Sequence, residues 1–249
     1  MTNITDDVIR KHTVLESFLY HMGPGILIGA GFYLLAPILR SAGYPSIMAM
    51  ISSAIFILVP VELGILLWEG KQRNGKLSFE NVVRYRKPLP WHQYLLWVLV
   101  IFIAAGAIIT LLSPVSAAME SWFNWIPEPL RLELGLSSEF SQGKLIQTYA
   151  LHFVFIIFVA PTVEEWYFRG FLLPRMPEAL SWAGPLFHSF LFALYHVWSP
   201  SMILARTLAL LPLIYIVRWK ENLGLGIIAH WLINSIDFFV GLGFILTMT

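Results

Sequence analysis

Long apolar runs separated by short polar breaks dominate this chain. A helix needs about 20 apolar residues to cross hydrocarbon. By that measure the pattern predicts spans at 23–39, 46–68, 91–113, 145–173, 182–198, 201–217 and 224–247. Ahead of them, Phe18, Leu19 and Met22 follow a charged stretch, which predicts an interfacial helix within residues 1–22. The fold class is therefore all-α, a polytopic membrane bundle of about seven helices, with residues 1–249 read as one membrane domain.

Composition supports that class. The chain is 57% hydrophobic and 12% charged, whereas soluble domains carry about 25% charged residues. A formal net charge of +1 gives no case for nucleic-acid binding. The absence of cysteine excludes disulfides, thiolate metal sites and a cysteine nucleophile. Asp6, Asp7, Arg10 and Lys11 come without a short apolar core and cleavage site, so no removable signal peptide is expected.

Charge also predicts orientation. Arg10, Lys11, six basic residues between Lys71 and Lys87, Arg169, Arg175, Arg218 and Lys220 fall at one set of span ends. Only Arg40, Arg131 and Lys144 fall at the other, which puts the N-terminus in the cytoplasm. Residues 69–90 form a basic loop on that side. Residues 114–143 carry Glu120, Glu128, Glu133 and Glu139 with Trp122, Phe123 and Trp125, as in an outer interfacial segment.

Several polar residues interrupt the apolar spans. His152, His188 and Glu62 read as packed or snorkelling side chains, and Gly25 with Gly29 as a site of close helix packing. Arg206 and Asp237, at similar depth, read as a structural ion pair. Glu164 and Glu165 resist such readings, because acids at bilayer depth are costly and mark functional sites. With about 1.5 Å of rise per residue from the helix ends, Glu164 lies roughly 15 Å deep, His196 about 21 Å, His230 about 10 Å and Asn234 about 16 Å. His230 and Asn234 are four apart and share one helix face, as do Phe192 and His196. A desolvated carboxylate is a better base, and imidazole and carboxamide groups can hold an oxyanion. Hydrolysis of an amide or ester inside the membrane fits these parts. Arg169, four residues after Glu165, is the expected partner of that second acid.

Glu164-Glu165-x-x-x-Arg169, then Phe192-x-x-x-His196, then His230-x-x-x-Asn234 resemble the three ordered motifs of the CPBP intramembrane proteases. These are relatives of the type II CAAX prenyl protease and of bacteriocin-processing or immunity membrane proteins. The resemblance implies about eight transmembrane helices around a cavity open to the cytoplasm, with a motif-bearing core at about 145–247. It assigns water activation to Glu164 with His196 assisting, and the oxyanion to His230 and Asn234. Glu165, Arg169 and Phe192 take supporting roles. The expected partner is a peptide or protein substrate in or at the bilayer, lipidated or not, with no cofactor and no metal required. Two alternatives keep the same cavity: Zn²⁺ held by Glu164, His196 and His230, and a non-catalytic scaffold or immunity protein. A proton-coupled transporter lacks support, because no inverted repeat is visible.

Overall fold

A computed structural model describes residues 9–248. The first helix starts where the sequence offers a cap. Thr13 Oγ1 accepts from the Glu16 amide at 3.1 Å, and the Glu16 carboxylate accepts from the Thr13 amide at 2.8 Å, a reciprocal box. Helix α1 (Val14–Ser41) thus begins well before the expected residue 23 and runs through Pro24 and Pro37. The residues read as an interfacial helix become its first turns, except that 1–8 lie outside the described residues.

The remaining helices are α2 (Ile47–Asn74), α3 (Trp91–Glu120), α4 (Gln142–Arg175), α5 (Gly184–Tyr195), α6 (Pro200–Lys220) and α7 (Leu223–Thr247). Among the described residues six helices are long and apolar enough to cross a bilayer, and the molecule is an integral, multi-pass membrane protein. The predicted span at 182–198 is the exception. Its helix α5 has only 12 residues, about 18 Å of rise, and stops at His196, whose φ of −81° and ψ of 57° leave the helical region. The chain after it completes the crossing with help. Trp198, Ser199 and Ser201 meet Phe123, Leu130 and Arg131, from the segment following α3, around a cavity of about 200 Å³.

The segment following α3 folds inward because its acids have a cation to reach. Arg40 at the end of α1 pairs with Glu133, with Glu139 at 2.6 Å and with Glu128 at 3.5 Å. At the opposite end the basic loop is also anchored. Val82 and Val83 are buried in the core, and the fully buried Arg175 donates to Val82 O at 3.0 Å and to Phe171 O at 2.8 Å. The glycine reading holds at α1: a Cβ on Gly25 would lie 2.5 Å from the Tyr195 carbonyl oxygen, and one on Gly29 would lie 2.2 Å from Val197. The bundle's outer face is apolar, with Leu34, Leu95, Leu111 and Phe239 exposed on three different helices.

Three prolines reset the hydrogen-bond ladder. Proline has no N–H for the carbonyl four residues back. Near Pro60 and Pro161 the ladder shifts to i→i−5 bonding over Ala54–Leu58 and Phe153–Val159, and another such segment, Glu165–Leu172, precedes Pro174. Such π segments occur frequently at functional sites. Ala160 N–H bonds Phe155 O, and Pro161 offers nothing, so Ile156 O loses both of its in-helix donors. Gly170 O likewise loses Pro174 and accepts instead from the Arg84 amide at 2.9 Å.

His12 closes the N-terminal approach by stacking on Tyr20 with ring centroids 5.0 Å apart. Burial, aided by the nearby Arg175 charge and opposed by Glu16 and Glu69, lowers its pKa from 6.5 to about 4. The unfolded chain binds this proton near 6.5 and the folded chain only near 4, so stability falls as pH drops between those values. His12→Phe keeps the stacking and removes the titration. In detergent, its melting temperature should therefore decline less than that of the wild type over this window. Parallel declines would show that His12 does not titrate in this way.

Candidate active site

Glu164 and Glu165 sit at the junction between a short α-helical stretch, Ala160–Glu164, and the π segment Glu165–Leu172 of α4. Consecutive helical side chains point about 100° apart, and these two meet different surroundings. The Glu165 side chain is 0% exposed, whereas those of Glu164 and His230 keep 7% and 10% exposure. Both acids are buried, Glu165 completely and Glu164 with 7% of its side chain exposed.

The sealed acid organises the site. Arg169 Nη1 lies 3.2 Å from Glu165 Oε1, which realises the expected i,i+4 pair. The same oxygen accepts from His230 Nδ1 at 3.1 Å. That bond turns His230 Nε2 toward Glu164, whose Oε2 lies 3.9 Å away, beyond a direct hydrogen bond. Helix α7 can come this close because residue 226 is glycine: a Cβ there would stand 2.6 Å from Glu165 Oε2.

Geometry also explains the second motif. The Arg169 guanidinium lies over the Phe192 ring, 4.2 Å from its centroid, a cation–π contact in a dry setting. One turn on, His196 Nδ1–H donates to the Phe192 carbonyl at 2.8 Å, which fixes the tautomer and leaves Nε2 as an acceptor. His196 packs among Phe192, Tyr195 and Trp198, within electrostatic reach of His230, Arg169 and Arg206.

Asn234 makes a structural bond. Its Nδ2 donates at 2.9 Å to Ile156 O, the carbonyl left without a helical donor by Pro161. The amide has a second hydrogen.

Two sequence readings change. Glu62, read as a packing residue, is fully buried in this layer and accepts from the Tyr195 hydroxyl at 2.9 Å. Its depth was the overlooked signal, because it lies as far from the Asn74 end of α2 as Glu164 does from the end of α4. Arg206 does not pair with Asp237. It donates to Ser199 Oγ at 2.9 Å, while Asp237 is exposed on α7. Equal depth misled here because the first half of α6 packs on α3 and α5, away from that part of α7. His152 and His188 do pack: His152 stacks on Tyr149, and His188 Nδ1 meets His21 Nε2 at 2.9 Å. Among the described residues no group of three histidine or carboxylate side chains has the arrangement of a metal site.

A buried ion pair, the histidine it orients and a second buried acid thus meet inside the helical bundle. Residues 146–236, which carry all seven motif side chains, match the family model described as type II CAAX prenyl endopeptidase Rce1-like. Over these residues the chain is similar to the CAAX-type intramembrane endopeptidases. No curated protein and no solved structure matches the chain.

Removing one partner of a buried ion pair costs about 3–5 kcal/mol, because a lone charge stays behind. Glu165→Gln should therefore lower the melting temperature together with activity. Adding Arg169→Met to it should restore part of the stability but not the activity, because His230 remains without its orienting carboxylate. A double variant no more stable than Glu165→Gln would refute the pairing as the source of the loss.

Proposed function

We propose that the protein is a glutamate-type intramembrane endopeptidase in which Glu164 activates water against a peptide bond. The observation that carries this reading is the placing of His230 between Glu165, which is held by Arg169, and Glu164, which has no ion-pair partner other than His230 among the described residues. Glu164 takes a proton from water, and the resulting hydroxide attacks the scissile carbonyl carbon. His196 Nε2, bare in its fixed tautomer, accepts a hydrogen bond from the same water. The oxyanion is held by His230 and by the second N–H of Asn234. Collapse of the intermediate expels the amine, which leaves with the proton stored on Glu164. No cofactor enters these steps.

The substrate is a peptide or protein segment at the bilayer, and a prenylated CAAX terminus is the form suggested by the family description. The whole chain works as one membrane domain, with the motif-bearing helices packed against α1 and α2. The N-terminus and the Asn74 end of α2 face the cytoplasm, in keeping with the excess of basic residues there.

Glu164→Gln should fold with wild-type melting behaviour, bind substrate and lack turnover. The measurement is cleavage of a farnesylated CAAX peptide, together with a comparison of membrane peptide termini produced by wild type and variant. A Glu164→Gln protein that retains its cellular role would favour the scaffold reading. Orientation has its own test: a reporter fused after Arg73 should read cytoplasmic, and one within residues 137–143 external. Finding both on one side would overturn the assignment.

A further inference from the structure

At the end of the bundle that carries the basic loop lies a cavity of about 340 Å³ lined by none of the motif side chains. Arg86, Tyr85 and Tyr94 line it beside Asn222, the residue that caps α7. Tyr94 and Gly224 belong to the first turns of α3 and α7, so this part is level with the helix ends. Trp166, nine residues before the end of α4, lies about 13 Å deeper. It packs on Phe79 with ring centroids 5.4 Å apart. The cavity is thus polar at the helix ends and aromatic toward the membrane interior.

Its walls are held in place. Tyr85 has a φ of 62°, a costly conformation for a bulky side chain. Bonds on both sides keep it there: the Arg84 amide donates to Gly170 O of α4 at 2.9 Å, and Tyr85 O accepts from the Leu223 amide of α7 at 2.7 Å. Strain of this kind persists where the surroundings over-determine it, and it gathers at ligand clamps.

Two donors at the polar end lack a matching acceptor. Asn222 Nδ2 donates to Tyr94 Oη at 2.8 Å, so the phenolic hydrogen points elsewhere, and it meets no acceptor among the described residues. Gly224 permits this approach, since a Cβ there would lie 3.0 Å from the Tyr94 ring. Arg86 is the lone charge lining the cavity. Its guanidinium bonds Phe79 O at 3.4 Å and pairs with no acid among the described residues.

A ligand for this space needs an anionic head and an apolar tail. A guanidinium and a hydroxyl suit phosphate oxygens. Exposed Trp91 at the start of α3, and Trp219 with Lys220 over its ring at the end of α6, mark this level as the bilayer interface. Lipid phosphates lie there. We propose that the cavity binds the phosphate of an anionic glycerophospholipid through Arg86 and the Tyr94 hydroxyl, with the first part of an acyl chain along Phe79 and Trp166. The site does not depend on the reading of Glu164 as the base. Its walls come from α3, α4, α7 and the basic loop, so an occupying lipid stabilises the folded bundle by mass action.

The test uses full-length protein stripped of lipid in a neutral detergent. Phosphatidylglycerol, phosphatidylcholine and inorganic phosphate are added separately, and melting temperature and lipid retained in native mass spectra are read. Phosphatidylglycerol should raise the melting temperature and stay bound, one per chain, whereas the other two should do neither. Arg86→Gln and Tyr94→Phe should each weaken retention about tenfold, the scale of one lost charge-assisted hydrogen bond. Without lipid, Arg86→Gln should melt like the wild type. Lys76→Gln, in the same basic loop but outside the cavity, should retain lipid fully. Equal loss in Lys76→Gln would mean attraction to the basic surface at large and would overturn the site, as would undiminished retention in Arg86→Gln. A shift from inorganic phosphate as large as that from phosphatidylglycerol would make this a soluble-anion site. A matching shift from phosphatidylcholine would show that no net charge is read. Either result overturns the lipid assignment.

Discussion

Glu165 has no access to water, and much of the site's geometry follows from satisfying it. An ionised carboxylate sealed in a bundle costs several kcal/mol unless it is paired and hydrogen-bonded. Here the charge is met by Arg169 from its own helix and by His230 from α7, both on the same oxygen. The two contacts fix α7 in depth and rotation against α4, and Gly226 provides the space. Arg169, drawn inward by the acid, needs an apolar partner that tolerates charge, and the Phe192 face supplies it. One carboxylate thereby links the three motifs.

The prolines contribute a second constraint of a different kind. A membrane interior offers no water to an unpaired carbonyl, so every break in a helical ladder has to be closed by protein. Pro161 opens Ile156 O, and Asn234 closes it from α7. Pro174 opens Gly170 O, and the Arg84 amide closes it from the basic loop. Breaks in α4 have therefore become attachment points for the elements around it. They also bracket the glutamate pair, so the stretch bearing the two acids is held from two directions.

Much of this was legible in the chain, and the misses have physical causes. The paired acids, the i,i+4 arginine and the approach of His230 to both glutamates could be read because helical rise turns sequence position into depth. The start of α1 was missed because Gly23-Pro24 looked like a boundary, while the Thr13–Glu16 capping box lay in a charged stretch outside the apolar window. The length of α5 was overestimated because hydropathy continues through Val197 and Trp198, although the backbone leaves the helix at His196. Depth alone also paired Arg206 with Asp237 and overlooked Glu62. Which helices are neighbours is a tertiary fact that no spacing within one span encodes.

Adjacent glutamates solve a problem that a single one cannot. A general base needs water beside it, but an exposed side chain does not hold its orientation unaided. A structural anchor needs to be sealed, and then it cannot reach the reacting atoms. In the mechanism proposed above, placing the two on consecutive residues, about 100° apart, assigns each task to its own side chain. Because both ride on the same turn of α4, whatever fixes Glu165 also sets the backbone from which Glu164 projects. The helix thus passes the rigidity of the sealed ion pair to Glu164.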